Sequence, residues 1–185
     1  MRRFVILLAT AAALATPEAD YRSAKRKIDL IQQDQARPGA KITLKTGELN
    51  AWVRREIADV APEGVRDPRL VLGVNRGTGY AYVDFVKLRR AQGQPMNWLL
   101  EKLLGGESPV RVDARIRSGD GQAQVDLDRV EISGLAISGD ALDWLIRNFL
   151  WSYYPEAKVG KPFDLAHGIE RLEVTPAEVR VVIGR

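Results

Sequence analysis

The stretch from Val110 to Leu127 constrains the fold most, because it reads as two strands joined by a short turn. Apolar and charged residues alternate in "VRVDARIR", and apolar and polar residues alternate again in "QAQVDL". A period of two is typical of strands with one buried face. An even-numbered loop, such as Gly119-Asp120, sets apolar against apolar and Arg111 opposite Asp128. The sequence therefore predicts an antiparallel hairpin with one apolar face.

The alternation slips by one residue after Leu127. The next apolar positions are Val130 and Ile132, which predicts a β-bulge near Asp128-Arg129. On the charged face, we expect arginines of the first strand to pair with acidic residues of the second in an exposed ladder. The residues concerned are Arg111, Arg115, Arg117, Asp126 and Asp128.

Along the rest of the chain, segments with the helical period of about 3.6 residues alternate with segments that have the strand period of two. Helices are predicted at 20–35, at 46–60 with Thr46 as N-cap, at 95–104 and at 138–155. Strands are predicted at 41–44, 70–74 and 80–88, the last apolar on both faces, and a closing hairpin turns at 175–178. Together these elements predict an α+β domain with a mainly antiparallel sheet.

The first 15 residues have the pattern of a secretory signal peptide. Arg2 and Arg3 precede the apolar run Phe4–Leu14, and Ala13-Leu14-Ala15 has the small-x-small cleavage pattern. We therefore expect a periplasmic or secreted protein, with an uncleaved anchor as the alternative. The chain has no cysteine, which excludes a lipoprotein anchor, disulfides and thiolate metal sites. Residues 16–40 are expected to form a basic helix and linker, and residues 41–185 a single domain.

The charge balance argues against nucleic acid as a partner. The chain carries 28 basic residues, and removing Arg2 and Arg3 leaves 26 against 24 acidic ones. Locally, "YRSAKRK" at Tyr21–Lys27 suggests peripheral contact with anionic lipid, or else a solvated helix face. The apolar stripe of this helix is narrow, so weak docking is expected.

Few residues point to catalysis or to a metal. His167 is the single histidine and lies beside a glycine in a predicted turn. No metal-ligand spacing accompanies it, and the glycines of "GVNRGTGY" match no nucleotide-binding motif. The sequence therefore predicts no cofactor and no catalysis. A hydrolase that uses His167 with an unidentified nucleophile is the remaining enzymatic alternative.

The chain carries a surplus of apolar residues on its predicted helices and strands. On a helical wheel, Trp144 and Trp151 fall among polar residues of the helix at 138–155. One explanation is an ordinary core, and the other is an apolar groove for a ligand such as an acyl chain. The groove residues predicted on this basis are Leu49, Trp52, Val53, Tyr82, Phe85, Trp98, Leu99, Trp144, Leu145, Phe149 and Trp151.

Three segments resemble a known family. "ITLKTGELNAWV", "VEISGLAISGDALDWLI" and "GIERLEVTPAEVRVVIG" are similar to exported bacterial proteins related to the LmeA-like phospholipid-binding family. The resemblance implies a curved antiparallel sheet wrapped around a long helix, as in one half of the tubular lipid-binding proteins. It also implies lipid binding or transport in the cell envelope, without catalytic residues.

Two non-enzymatic functions follow. The first is an exported protein that binds or carries a lipid or another long apolar ligand between its helices and its sheet. The alternative is an envelope scaffold that docks a protein partner through its tryptophan-rich helix.

Overall fold

The computed structural model describes residues 16–60, 64–94, 98, 101, 105–151 and 158–185. The helices are α1 (Pro17–Gln32), α2 (Thr46–Val60), α3 (Phe85–Ala91) and α4 (Gly139–Leu145), which continues as a π-helical segment over Ile146–Leu150. The strands are β1 (Lys41–Lys45), β2 (Val65–Gly73), β3 (Arg76–Val83), β4 (Ser108–Gly119), β5 (Gln122–Ile132), β6 (Leu135–Ile137), β7 (Phe163–Asp164), β8 (Ile169–Val174) and β9 (Glu178–Ile183).

The strands form two antiparallel sheets. The large sheet has the order β2-β3-β4-β5-β6, with β7 on β5, and the small sheet has the order β1-β9-β8. This confirms the predicted α+β class with hairpin-connected antiparallel strands. The closing hairpin is also confirmed, since Thr175 donates its backbone N–H to Glu178 O at 2.9 Å.

The β4–β5 hairpin has the predicted parity but a different loop. Its two turn residues are Asp120 and Gly121, both with positive φ (52° and 76°), as a type I′ turn requires. Ile116 pairs with Val125, so apolar residues face apolar residues. The shifted loop and a bulge place Arg111 opposite Glu131, so the predicted pairing of Arg111 with Asp128 is wrong.

The predicted bulge is confirmed. Asp113 pairs with Arg129 and Ala114 with Leu127, which leaves Asp128 as the extra residue on β5. Two of the expected ion pairs between the strands form as well. Arg115 reaches Asp128 at 2.8 Å, and Arg117 reaches Asp126 at 2.6 Å.

The prediction of one strand over 80–88 is wrong. Strand β3 ends at Val83, and Asp84 begins α3 by accepting the backbone N–H of Lys87 at 2.9 Å. The segment is apolar on both faces because it changes from the strand period to the helical one. Phe85 and Leu88 are buried as residues of this helix, in a core that also contains Val83 and Phe149.

Helix α1 docks more firmly than its narrow apolar stripe predicts. Ala24 is fully buried and Ile31 is 6 % exposed. Both belong to a core with residues of β1 and β9, and Leu49 and Trp52 of α2 pack against that core. The predicted weak docking is therefore wrong, because the small side chain of Ala24 permits close approach.

An ion pair fixes α1 beside the start of α2. Lys27 Nζ lies 2.7 Å from Glu48 Oε1 and also donates to Thr43 O. Glu48, whose side chain is 7 % exposed, accepts the Lys45 backbone N–H at 2.8 Å. Thr46 does not act as the predicted N-cap, since its hydroxyl donates to Ala177 O at 2.8 Å. The carboxylate of Glu48 instead accepts the backbone N–H of Lys45, the residue before α2, as the acidic residue of a capping box does.

The pKa of Glu48 lies below its ordinary value. Burial raises it, but hydrogen bonds from Lys27, Ser23 and the Lys45 N–H outweigh this effect. A depressed carboxyl pKa gives stability above the unfolded pKa, and that stability is lost as the pH falls through the folded value.

We predict that Glu48→Gln lowers the free energy of unfolding by about 1.5–3 kcal/mol at pH 7, because a charged hydrogen-bonding group is lost. The difference from the unsubstituted protein should shrink as the pH falls below about 4. Urea denaturation at pH 7 and at a pH below about 4 measures this difference in the free energy of unfolding. Glu18→Gln, which removes an exposed partner of Arg22, should change the stability little. An equal loss for Glu48→Gln at both pH values would contradict the assignment.

Candidate functional site

The helix predicted over 138–155 is not one regular α-helix. Ser138 occupies the N-cap position without a side-chain cap bond, and α4 ends at Leu145. The next five residues, Ile146–Leu150, form a π-helical segment. A π-helix bonds residue i to i+5, so it takes up more residues per turn than an α-helix and changes which side chains share a face. The residues predicted at 152–155 lie outside the described part.

The π-helical segment separates Trp144 from Trp151. Trp144 turns inward and meets Phe149 edge-on with ring centroids 5.6 Å apart. Phe149 in turn meets Phe85 of α3 at 5.0 Å. Trp151 instead remains 44 % exposed. The prediction that both indoles lie on the polar face is therefore wrong for Trp144.

An apolar cavity of about 430 Å³ lies between the large sheet and α4 with its π-helical segment. The described side chains that line it are all apolar. From the sheet they are Val65, Val83, Val110, Val112, Leu127, Val130 and Ile132. From helices they are Ile57, Phe85, Leu88, Leu142, Leu145, Ile146, Phe149 and Leu150. The described part of the cavity wall can therefore make dispersion contacts but offers no side-chain hydrogen bond.

The structure brings only some of the predicted groove residues to this cavity. Phe85, Leu145 and Phe149 line it, and Trp144 packs against the adjoining core. Leu49 and Trp52 instead pack on the α1 core.

The other predicted groove residues lie elsewhere. Val53 is half-buried on α2 away from the cavity lining, and Trp98 is 74 % exposed. Tyr82 is 42 % exposed beneath the guanidinium of Arg66, whose Cζ lies 4.6 Å from the ring centroid. Leu99 lies outside the described residues.

Sequence reasoning missed the part of the lining that comes from the sheet. Val110 and Val112 of β4 and Val130 and Ile132 of β5 were placed on one apolar face, but not in a site. The alternation was the available signal. It identifies the buried face of a sheet without showing how well that face is covered.

A second, more polar cleft of about 790 Å³ adjoins the cavity. The two spaces share Leu127, Leu142 and Ile146 as lining residues. The cleft also has three basic side chains, two acidic ones and an indole. These are Arg147, Lys158, Lys161, Asp126, Asp143 and Trp151. An apolar space and a charged space therefore meet along three shared side chains.

One of the two described acids in the cleft is already paired with neighbouring side chains. Asp126 accepts hydrogen bonds from Gln124 at 2.8 Å and from Arg117 at 2.6 Å. These two donors hold the pKa of Asp126 below its usual value, so it is ionised and paired at neutral pH. The remaining charged groups among the described lining residues are one acid, Asp143, and three bases.

His167 lies in an exposed turn, as predicted, with φ of 57°. Its Nδ1 is 3.2 Å from Oδ1 of the exposed Asp34. Among the residues that the structure describes, no group of three or more potential metal ligands occurs. No helix in this described set is long and apolar enough to cross a bilayer.

Comparisons with protein-family models, with curated proteins and with solved structures find no match to this chain. The resemblance to the LmeA-like family stays a prediction.

We predict that Val112→Leu leaves stability unchanged or raises it slightly, because the added methylene enters the cavity. Val181→Leu is the matched control, since Val181 is 5 % exposed in the α1 core. Overpacking there should lower the free energy of unfolding by about 1–3 kcal/mol. Urea denaturation of both variants measures the difference. Equal destabilisation would mean that the space beside Val112 is filled.

Proposed function

We propose that this protein is an exported, non-catalytic protein of the cell envelope that binds or carries a lipid or other long apolar ligand. The observation that carries the proposal is the cavity of about 430 Å³ with a wholly apolar described lining. Its volume falls within the range of about 300–1,000 Å³ for small-molecule sites. The signal-peptide pattern of the first 15 residues supports the envelope as the place of action.

The energetics of the cavity favour an occupant. The cavity is partly open to solvent, so its apolar wall is in contact with water when no ligand is bound. An apolar ligand would restore the missing dispersion contacts and shield the valines of the sheet from water.

One observation favours the scaffold alternative. The indole of Trp98 is 74 % exposed, and exposed aromatic side chains are enriched where proteins meet. Trp98 does not line the cavity, so the two functions can be separated by substitution.

We expect the protein to bind N-phenyl-1-naphthylamine, an uncharged apolar dye that fluoresces in apolar surroundings. Val112→Trp should weaken dye binding at least about tenfold, because the indole fills the cavity and removes more than about 1.4 kcal/mol of binding energy. Val71→Trp is the matched control, because Val71 on β2 is 45 % exposed. This variant should bind the dye as the unsubstituted protein does. Circular dichroism checks that both variants fold.

The proposal fails if the dye does not bind, or if Val71→Trp and Val112→Trp weaken binding equally. Native mass spectrometry of protein purified from an envelope fraction provides a second measurement, with bound lipid as the expected result. Trp98→Ser should leave dye binding intact. If dye binding is absent and Trp98→Ser abolishes a protein contact, the scaffold alternative is favoured instead.

A further inference from the structure

The junction between the apolar cavity and the charged cleft points to the kind of ligand. Leu127, Leu142 and Ile146 line both spaces, so a molecule that occupies both would pass along these three side chains. One end of that molecule meets only apolar atoms, and the other end meets charges. A purely apolar ligand would use the first space alone.

The cleft favours a negative charge. Arg147, Lys158 and Lys161 line it. No ion pair between any of these three and another described residue occurs in the structure. The guanidinium of Arg147 donates through Nε to the backbone O of Asp143 at 3.2 Å, and its terminal nitrogens bond to no other residue that the structure describes.

The acids of the cleft do not cancel this charge. Asp126 is already paired with Arg117, which is not part of the cleft lining. Among the described lining residues, Asp143 alone then opposes three basic groups, a balance of about +2. Basic groups beside an apolar space attract anions, and charge-assisted hydrogen bonds to phosphate or carboxylate are among the strongest that proteins make.

The volume of the cavity suits one acyl chain. A methylene group takes about the volume of a water molecule in the liquid, about 30 Å³. A space of 430 Å³ therefore accommodates about 14 methylenes, which is the length of one acyl chain.

We propose that the ligand is a single-chain amphiphile with an anionic head, whose chain fills the cavity and whose head is bound by Arg147, Lys158 and Lys161 in the cleft. This inference rests on the proposed lipid-binding function and narrows its ligand class. The π-helical segment contributes to both spaces, since Phe149 and Leu150 line the cavity while Arg147 lines the cleft.

Four compounds with the same chain and different heads test the proposal. They are tetradecanoate, tetradecyl phosphate, tetradecanol and tetradecyltrimethylammonium, each used below its aggregation concentration to displace N-phenyl-1-naphthylamine. We expect at least one anion to displace the dye at about tenfold lower concentration than the alcohol, and the cation to be weakest. The two anions distinguish a carboxylate from a phosphate head. The preference should decrease as salt is added.

The double variant Lys158→Gln/Lys161→Gln tests the cleft itself. It should weaken displacement by the preferred anion about tenfold while leaving the alcohol unchanged. The control Arg26→Gln/Lys41→Gln removes the same charge from exposed positions on α1 and β1 and should change neither.

Each negative result has a distinct meaning. If none of the four compounds binds and the dye does not bind either, the proposed function fails. If the alcohol or the cation binds as tightly as both anions, the cavity remains a lipid site but the anionic head is overturned. If the cleft variant and the control variant weaken the anion equally, the head is not bound in this cleft.

Discussion

The register of the β4–β5 hairpin is the constraint on which the large sheet depends. The turn at Asp120-Gly121 sets Ile116 against Val125, and the bulge at Asp128 then shifts the pairing by one. Without that extra residue, Val130 and Ile132 would point to the charged face, because side chains alternate with a period of two. The bulge thus keeps the same face of β4 and β5 apolar on both sides of Asp128. The cavity lies against that face.

The helix that covers this apolar face packs against α3 through aromatic rings. Phe149 meets both Phe85 of α3 and Trp144 of α4 edge-on. Such edge-on aromatic pairs are stabilising beyond the area that they bury. Asp84 fixes the start of α3 and so the position of Phe85. Side chains too small to fill the remaining space, mostly valines, lie along β4 and β5.

The elements that could be predicted are those whose residues follow one period throughout. The β4–β5 hairpin, its bulge and the closing hairpin belong to this group, since each is determined by alternation and turn chemistry. The segment 80–88 was misread because a strand that passes directly into a helix is apolar on every side. Asp84 was the available signal, as an aspartate before an apolar run is a common N-cap.

The candidate site was harder to predict because a cavity is a property of two elements together. A helical wheel assumes an angle of 100° per residue, and the π-helical segment breaks that assumption between Trp144 and Trp151. The valines of β4 and β5 were placed on the apolar face, but only the tertiary structure shows that α4 covers them incompletely. The pairing of Arg117 with Asp126, which leaves the cleft basic, likewise depends on the register across two strands.

The apolar surplus of the chain is distributed unevenly, and this distribution is what favours a ligand. On the side of the small sheet, Ala24 and Ile31 of α1 fill the space above β1 and β9, and Trp52 packs against the same core. On the side of the large sheet, equally apolar faces leave about 430 Å³ between them. A chain that packs one core closely has the means to pack the other, since adding methylenes to valines would suffice. The open space lies beside a cleft whose described basic groups outnumber its available acids, and a single amphiphile satisfies both.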